Sequence, residues 1–179
     1  MDQLDTASAH IVGNSTGGLD GYELLRQAPE RVNTLTTCGT TAALHSGAVG
    51  NVVVWMDHLL GPAVSAWLAR QTVSKQRDVS AQVAEMIRTT PKASSVNLRH
   101  HLLDYNYLPT LAASHAVPLM LLRGEHDNEI NRMLEDTLVL FDKHPRAEVI
   151  PIAAAGHFAN LDQPDQFNSA LARFLETFA

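Results

Sequence analysis

A single cysteine, Cys38, stands in 179 residues. No disulfide can form within the chain, so a reducing cytoplasm is the expected compartment. Cations are scarce as well: 13 Lys and Arg face 19 Asp and Glu, a net charge of −6. Nucleic-acid affinity rests largely on neutralising phosphates, so this deficit argues against a nucleic-acid partner and against a polybasic membrane contact. Long apolar runs are missing. The longest stretch without a charged side chain, Val32 to Met56, is interrupted by Asn33, His45, Ser46, Asn51 and glycines, which argues against a membrane span. The opening Met1-Asp2-Gln3-Leu4-Asp5 is acidic where a secretory leader is basic, so no signal peptide is expected. Repeats, low-complexity tracts and Gly/Ser linkers are absent. What is present, 45% hydrophobic residues over this length, suffices for one domain with a real core.

The pattern along the chain alternates. Ala9-His10-Ile11-Val12-Gly13 is a short apolar run that reads as a buried strand. After Asn14-Ser15-Thr16-Gly17-Gly18, apolar residues recur at spacings of three and four up to Ala28, which reads as a helix stopped at Pro29. The β-branched stretch Val32 to Thr37 predicts a second strand. Strand, tight turn, helix and strand together form a parallel βαβ unit. From Thr41 to about His115 helical spacing dominates, carried by Trp55, Leu59, Leu60, Val64, Trp67, Leu68, Val79, Val83, Met86, Ile87, Leu98, Leu102, Leu103 and Leu111, with breaks at Pro62, Pro91 and Pro109. Val52 to Val54 have strand propensity inside this block of three or four helices. Strand character returns at Val117 to Leu122 and at Ala147 to Ile152, with an amphipathic helix between them. Phe167, Leu171, Phe174 and Phe178 mark one face of a last helix, with Asp162 as its expected N-cap and Pro164 and Asp165 in its first turn.

Gly13-Asn14-Ser15-Thr16-Gly17 is a G-x-S-x-G string between a predicted strand and a predicted helix. That context suits a nucleophile elbow, whose turn strains the serine; a Cβ at either flanking glycine is expected to collide with neighbouring backbone. The helix N-terminus directs amide N–H groups at whatever Ser15 attacks. A serine nucleophile needs a base, and the base needs an orienting acid. Asp127 follows one predicted strand and His157 the next. The C-terminal ends of parallel strands share one sheet edge, so Ser15, Asp127 and His157 converge there. The bland alternatives are a glycine-rich turn, a loop acid and a surface histidine, and three placements after three strands argue against that coincidence.

These motifs resemble the α/β-hydrolase superfamily. His10 to Gly18 resembles its strand-5 elbow, Ala28-Pro29-Glu30-Arg31-Val32 its entry to strand 6, Arg123-Gly124-Glu125-His126-Asp127 its acid-bearing turn, and Gly156 to Pro164 its histidine loop. The resemblance implies a partial α/β-hydrolase fold: a mostly parallel sheet of about four strands, equivalent to strands 5–8, formed by residues 1–40 and 116–179, with a helical cap insertion over 41–115. It implies a serine hydrolase of a small ester, lactone or related carbonyl compound, with Ser15 as nucleophile, His157 as base, Asp127 as orienting acid and the Thr16 N–H at the oxyanion. A carbon–carbon bond hydrolase remains an alternative. No cofactor and no metal is implied, and the partner is a small-molecule substrate.

Two departures qualify the resemblance. The family's first four strands, with a loop that supplies a second oxyanion amide, precede its elbow, whereas about eight residues precede this one. The expectation is therefore a chain lacking the N-terminal strands, with an exposed strand edge through which it self-associates. A catalytically weak or silent fragment acting by association is the competing function. Asp20, on the elbow helix, is expected to face solvent or be paired. Among other candidates, His100-His101 lacks a ligand at i+3 or i+4 beyond Asp104, which suggests a surface pair with His100. Cys38 reads as a packing residue, and Trp55 and Trp67 as the underside of the cap or as core.

Overall fold

Leu119, Met120, Leu121 and Leu122 are each at most 1% exposed, although a strand sends successive side chains to opposite faces. Both faces of this strand must therefore be covered, which is how a parallel sheet differs from a half-wet antiparallel one. The computed structural model describes residues 1–45, 62–91, 93–94, 102 and 104–178. Val52–Val54, Trp55, Leu59, Leu60, Leu98, His100, His101 and Leu103 lie outside the described residues.

The described chain divides into two compact units, one of residues 1–42 and 107–179, the other of residues 43–106. The first holds β1 (Ala9–Asn14), α1 (Thr16–Gln27) and β2 (Val32–Cys38); after the second unit it continues with α4 (Leu108–Ala113), β5 (Leu119–Gly124), α5 (Asn128–Met133), α6 (Glu135–Lys143), β6 (Ala147–Ile152), α7 (Ala159–Asp162) and α8 (Pro164–Thr177). Its sheet has the order β1-β2-β5-β6, parallel throughout. Leu119 and Leu121 join Tyr22, Leu25, Leu35, Leu111, Leu134 and Phe141 on one face. Met120 and Leu122 join Cys38, Ile152, Ala159, Phe167 and Phe174 on the other. Each such leucine or phenylalanine contributes about 1.5–3 kcal/mol of burial, so β5 anchors both cores at once. On β1 only one face is covered: Ile11 packs against the first core, whereas Val12 is 46% exposed.

The second unit contains β3 (Ala43–His45), α2 (Pro62–Thr72), α3 (Arg77–Thr89) and β4 (Asp104–Asn106). Ala66, Ala69, Val79 and Val83 are buried here, and the two alanines allow α2 and α3 to approach closely. The sequence pattern predicts mostly helices over this block, with strand propensity at Val52 to Val54 alone, but β3 and β4 pair antiparallel, with His45 opposite Asp104. Three-residue strands are too short to leave an alternation. Asp104 sits on β4 and pairs with His45, His45 Nδ1 to Asp104 Oδ1 at 3.2 Å. Trp67 is 63% exposed, so it is not a core residue.

One further expectation changes and one holds. Asp162 does not cap α8, whose N-cap is Gln163. It is buried, and its carboxylate accepts the Gly156 N–H at 2.7 Å; a loop amide inside the protein satisfies the charge better than an exposed helix end. Asp20 faces solvent, as its charge demands. Among the described residues no helix is long and apolar enough to cross a membrane.

Candidate active site

Ser15 follows β1 with φ 54° and ψ −119°, a region that non-glycine residues occupy at a cost of about 1–3 kcal/mol and only where their surroundings over-determine it. Here the surroundings are explicit. The Ser15 N–H donates to Cys38 O at 2.8 Å and Ser15 O accepts from Gly18 N–H at 3.0 Å. The Thr40 hydroxyl lies 2.8 Å from Ser15 O and 3.0 Å from Cys38 O, its single proton serving both. A Cβ on Gly13 would run into the Gly17 backbone, so that flank of the motif has to be glycine. Gly17 itself differs from expectation: a Cβ there would meet nothing within 4 Å. The second crowded position is Gly18, whose Cβ would lie 2.8 Å from Thr40 Cβ and Cγ2.

Asp127 ends the turn after β5 and His157 the turn after β6. Parallel pairing of β5 with β6 brings both turns to one sheet edge, where His157 Nδ1 lies 2.8 Å from Asp127 Oδ2. The side chains are 20% and 8% exposed, so the pair is largely withdrawn from water. Where Nδ1 donates to this carboxylate, Nε2 is the ring nitrogen left to take a proton. Glu125, two residues before Asp127, accepts the Ala154 N–H at 2.8 Å through Oε2, tying the two turns together. His126 N–H donates to Ala155 O at 2.7 Å across the same gap. The Phe158 ring meets the imidazole edge-on with centroids 5.2 Å apart.

Among the described residues no hydrogen bond joins Ser15 Oγ to the His157 ring; catalytic hydrogen bonds are often loose without substrate. Thr16 is the first residue of α1, so its amide belongs to the set with no intrahelical acceptor and is free in principle to donate outward. Burial pushes the Cys38 thiol up to about 11, which keeps it protonated and removes it as a rival nucleophile. No group of three or more His, Cys, Asp or Glu among the described residues is arranged to hold a metal ion.

Residues that the motif pattern does not single out complete the arrangement: Asn14, Thr40, Glu125 and Asp162. Asn14 Nδ2 donates to Cys38 O at 3.1 Å and to His157 O at 3.0 Å. The one available signal was a polar residue in the variable position before the serine.

Comparison with known proteins identifies the family and the fold. The sequence model of the alpha/beta hydrolase family matches residues 1–170. Carboxylesterase YbfK of Bacillus subtilis (strain 168) is 24% identical over 181 residues, covering 98% of this chain and 60% of that protein. The chain thus spans 60% of the length of this curated relative. A thermophilic esterase from Thermogutta terrifontis superimposes with a TM-score of 0.84 at 19% identity, over 99% of this chain and 68% of that one. The enol-lactonase from Burkholderia xenovorans LB400 does so with a TM-score of 0.82 at 22% identity, over 98% and 68%. At these identities the structural likeness concerns the fold.

Proposed function

The chain belongs to the alpha/beta hydrolase family, and we propose on that premise that it is a serine hydrolase of a small ester, lactone or related carbonyl compound, acting through an acyl-enzyme. The observation that carries the reading is the 2.8 Å His157–Asp127 contact on the same sheet edge as a serine held at φ 54°. The carboxylesterase and enol-lactonase names of its relatives agree with that substrate class.

In this mechanism Ser15 Oγ attacks the carbonyl carbon while His157 Nε2 takes the hydroxyl proton. Asp127 remains ionised, holds Nδ1–H and stabilises the imidazolium that forms. The carbonyl π electrons move to oxygen, which accepts a hydrogen bond from the Thr16 N–H. Collapse of the tetrahedral intermediate breaks the C–O bond, and the leaving alkoxide takes the proton from His157. Water, deprotonated by the same nitrogen, then attacks acyl-Ser15; collapse releases the carboxylic acid, and Ser15 Oγ regains its proton.

Incubation with a fluorophosphonate probe, read by mass spectrometry, and turnover of p-nitrophenyl acetate test the reading. Labelling is expected at Ser15, and Ser15→Ala is expected to abolish it and lower turnover by about 10³ or more. Asp127→Asn is expected to cost about 10³–10⁴. Unchanged turnover in Ser15→Ala would overturn the proposal.

A second reading, association, has its own observation. β1 stands at the end of the sheet with Val12 exposed, and such an edge templates pairing with another strand. A second copy of this chain is the partner that reading names.

A further inference from the structure

We propose that Asn14 is a positioning residue for His157, an inference that rests on the serine-hydrolase reading above. Asn14 closes β1 opposite Cys38 in the β2 register, so its side chain stands where the nucleophile turn, the end of β2 and the histidine loop meet. An amide NH2 has two protons, and both are used: one on Cys38 O at 3.1 Å, the other on His157 O at 3.0 Å. The same Cys38 carbonyl accepts the Ser15 N–H at 2.8 Å. A continuous hydrogen-bonded path therefore runs from the nucleophile's own amide, through Cys38 O and the Asn14 amide, to the backbone of the base. Its last bond, from Asn14 to His157, links residues 143 positions apart in the chain.

The ring is bounded by other groups. Asp127 holds Nδ1, Phe158 packs against it edge-on, and Gly39, at φ +59°, leaves room that a Cβ would take, 3.0 Å from the ring's Cε1 and Nδ1. These contacts fix the ring's tilt and tautomer. The Asn14 bond to His157 O runs from the nucleophile's own strand to the backbone of the base, and so sets how closely the histidine loop approaches the serine turn. Proton transfer depends steeply on that approach, since a 1 Å misplacement can cost about 10²-fold in rate.

Because both acceptors are carbonyl oxygens, the role requires a donor, and shape alone does not supply it. Asn14→Asp is isosteric but turns a carboxylate toward two oxygens; Asn14→Ala removes the tie. Expected for Asn14→Ala is a fall in kcat of about 10- to 100-fold with KM held within about twofold. Asn14→Asp should lose more at neutral pH, and the acid limb of its rate profile should move to higher pH, because a new carboxylate near the imidazolium favours the protonated ring. Urea midpoints of both variants check that they fold. Two NMR measurements do not depend on turnover. The His157 ring nitrogen shifts should change in Asn14→Ala, and in the unsubstituted chain the Asn14 side-chain protons should exchange with solvent more slowly than those of an exposed amide.

If folded Asn14 variants keep the kcat, pH profile and ring shifts of the parent, or if the Asn14 amide protons exchange at the rate of a free amide, the inference falls. Retained turnover in Ser15→Ala would overturn the hydrolase reading while leaving the ring shifts and amide exchange as they are, so the two failures are distinguishable.

Discussion

The Gly156 N–H points at the Asp162 carboxylate, 2.7 Å from Oδ2, and closes the histidine loop on itself from within. Asp162 is 5% exposed. Charge-assisted hydrogen bonds in such places contribute about 1.5–3 kcal/mol, and removing one partner strands the other. Asp162→Ala should therefore lower stability by about that amount, whereas Asp165→Ala, at an exposed position on the next helix, should change it little. Urea denaturation of the two variants side by side checks this.

The elbow glycines separate in the same way. Gly17→Ala should be neutral or stabilising by up to about 1 kcal/mol, since alanine is the better helix former and a Cβ there meets open space. Gly18→Ala, pressed against Thr40, should cost about 1–3 kcal/mol. Equal effects in urea midpoints would contradict this account of the turn.

His144 makes stability depend on pH. It is buried, accepts the Arg146 N–H at Nδ1 and donates from Nε2 to Ser114 O, and stacks on His115. Burial holds its pKa below the ordinary 6.5. The unfolded chain thus binds a proton that the native state refuses, and stability rises with pH across that interval. His144's share is fully present above about 6.5 and is lost as pH falls toward its lower native value. His144→Gln should flatten the urea midpoint between about pH 7.5 and pH 5 relative to the parent; an unchanged slope would contradict it.

The open side of β1 predicts concentration-dependent mass in solution. The 179-residue chain should sediment in part as dimers or larger species, and Val12→Lys should shift it toward monomer by placing a charge on the edge. A parent that is monomeric at all concentrations would dispose of the association reading.

How far the sequence reveals this structure depends on the range of the interaction. The buried strands are legible because Leu119 to Leu122 and Val32 to Cys38 are unbroken by charge, and the turns after β1, β5 and β6 because each carries a local motif. The β3–β4 pair is not legible, since Ala43–His45 and Asp104–Asn106 find each other across nearly the whole second unit and are too short for periodicity. Asp162 reads as a helix cap from its neighbours alone, and only the folded loop shows the Gly156 amide competing for it. Asn14 is hidden for a related reason: a side chain that bonds two carbonyls leaves no partner residue type to recognise.

Because neighbouring leucines of β5 belong to different cores, a slip of one residue along its neighbours would exchange the two sets of contacts, lining each core with side chains shaped for the other. Neither half can loosen alone without dragging that strand out of register. The amides of Leu119 to Leu122 should therefore be the last to take up deuterium, opening only when the whole first unit unfolds.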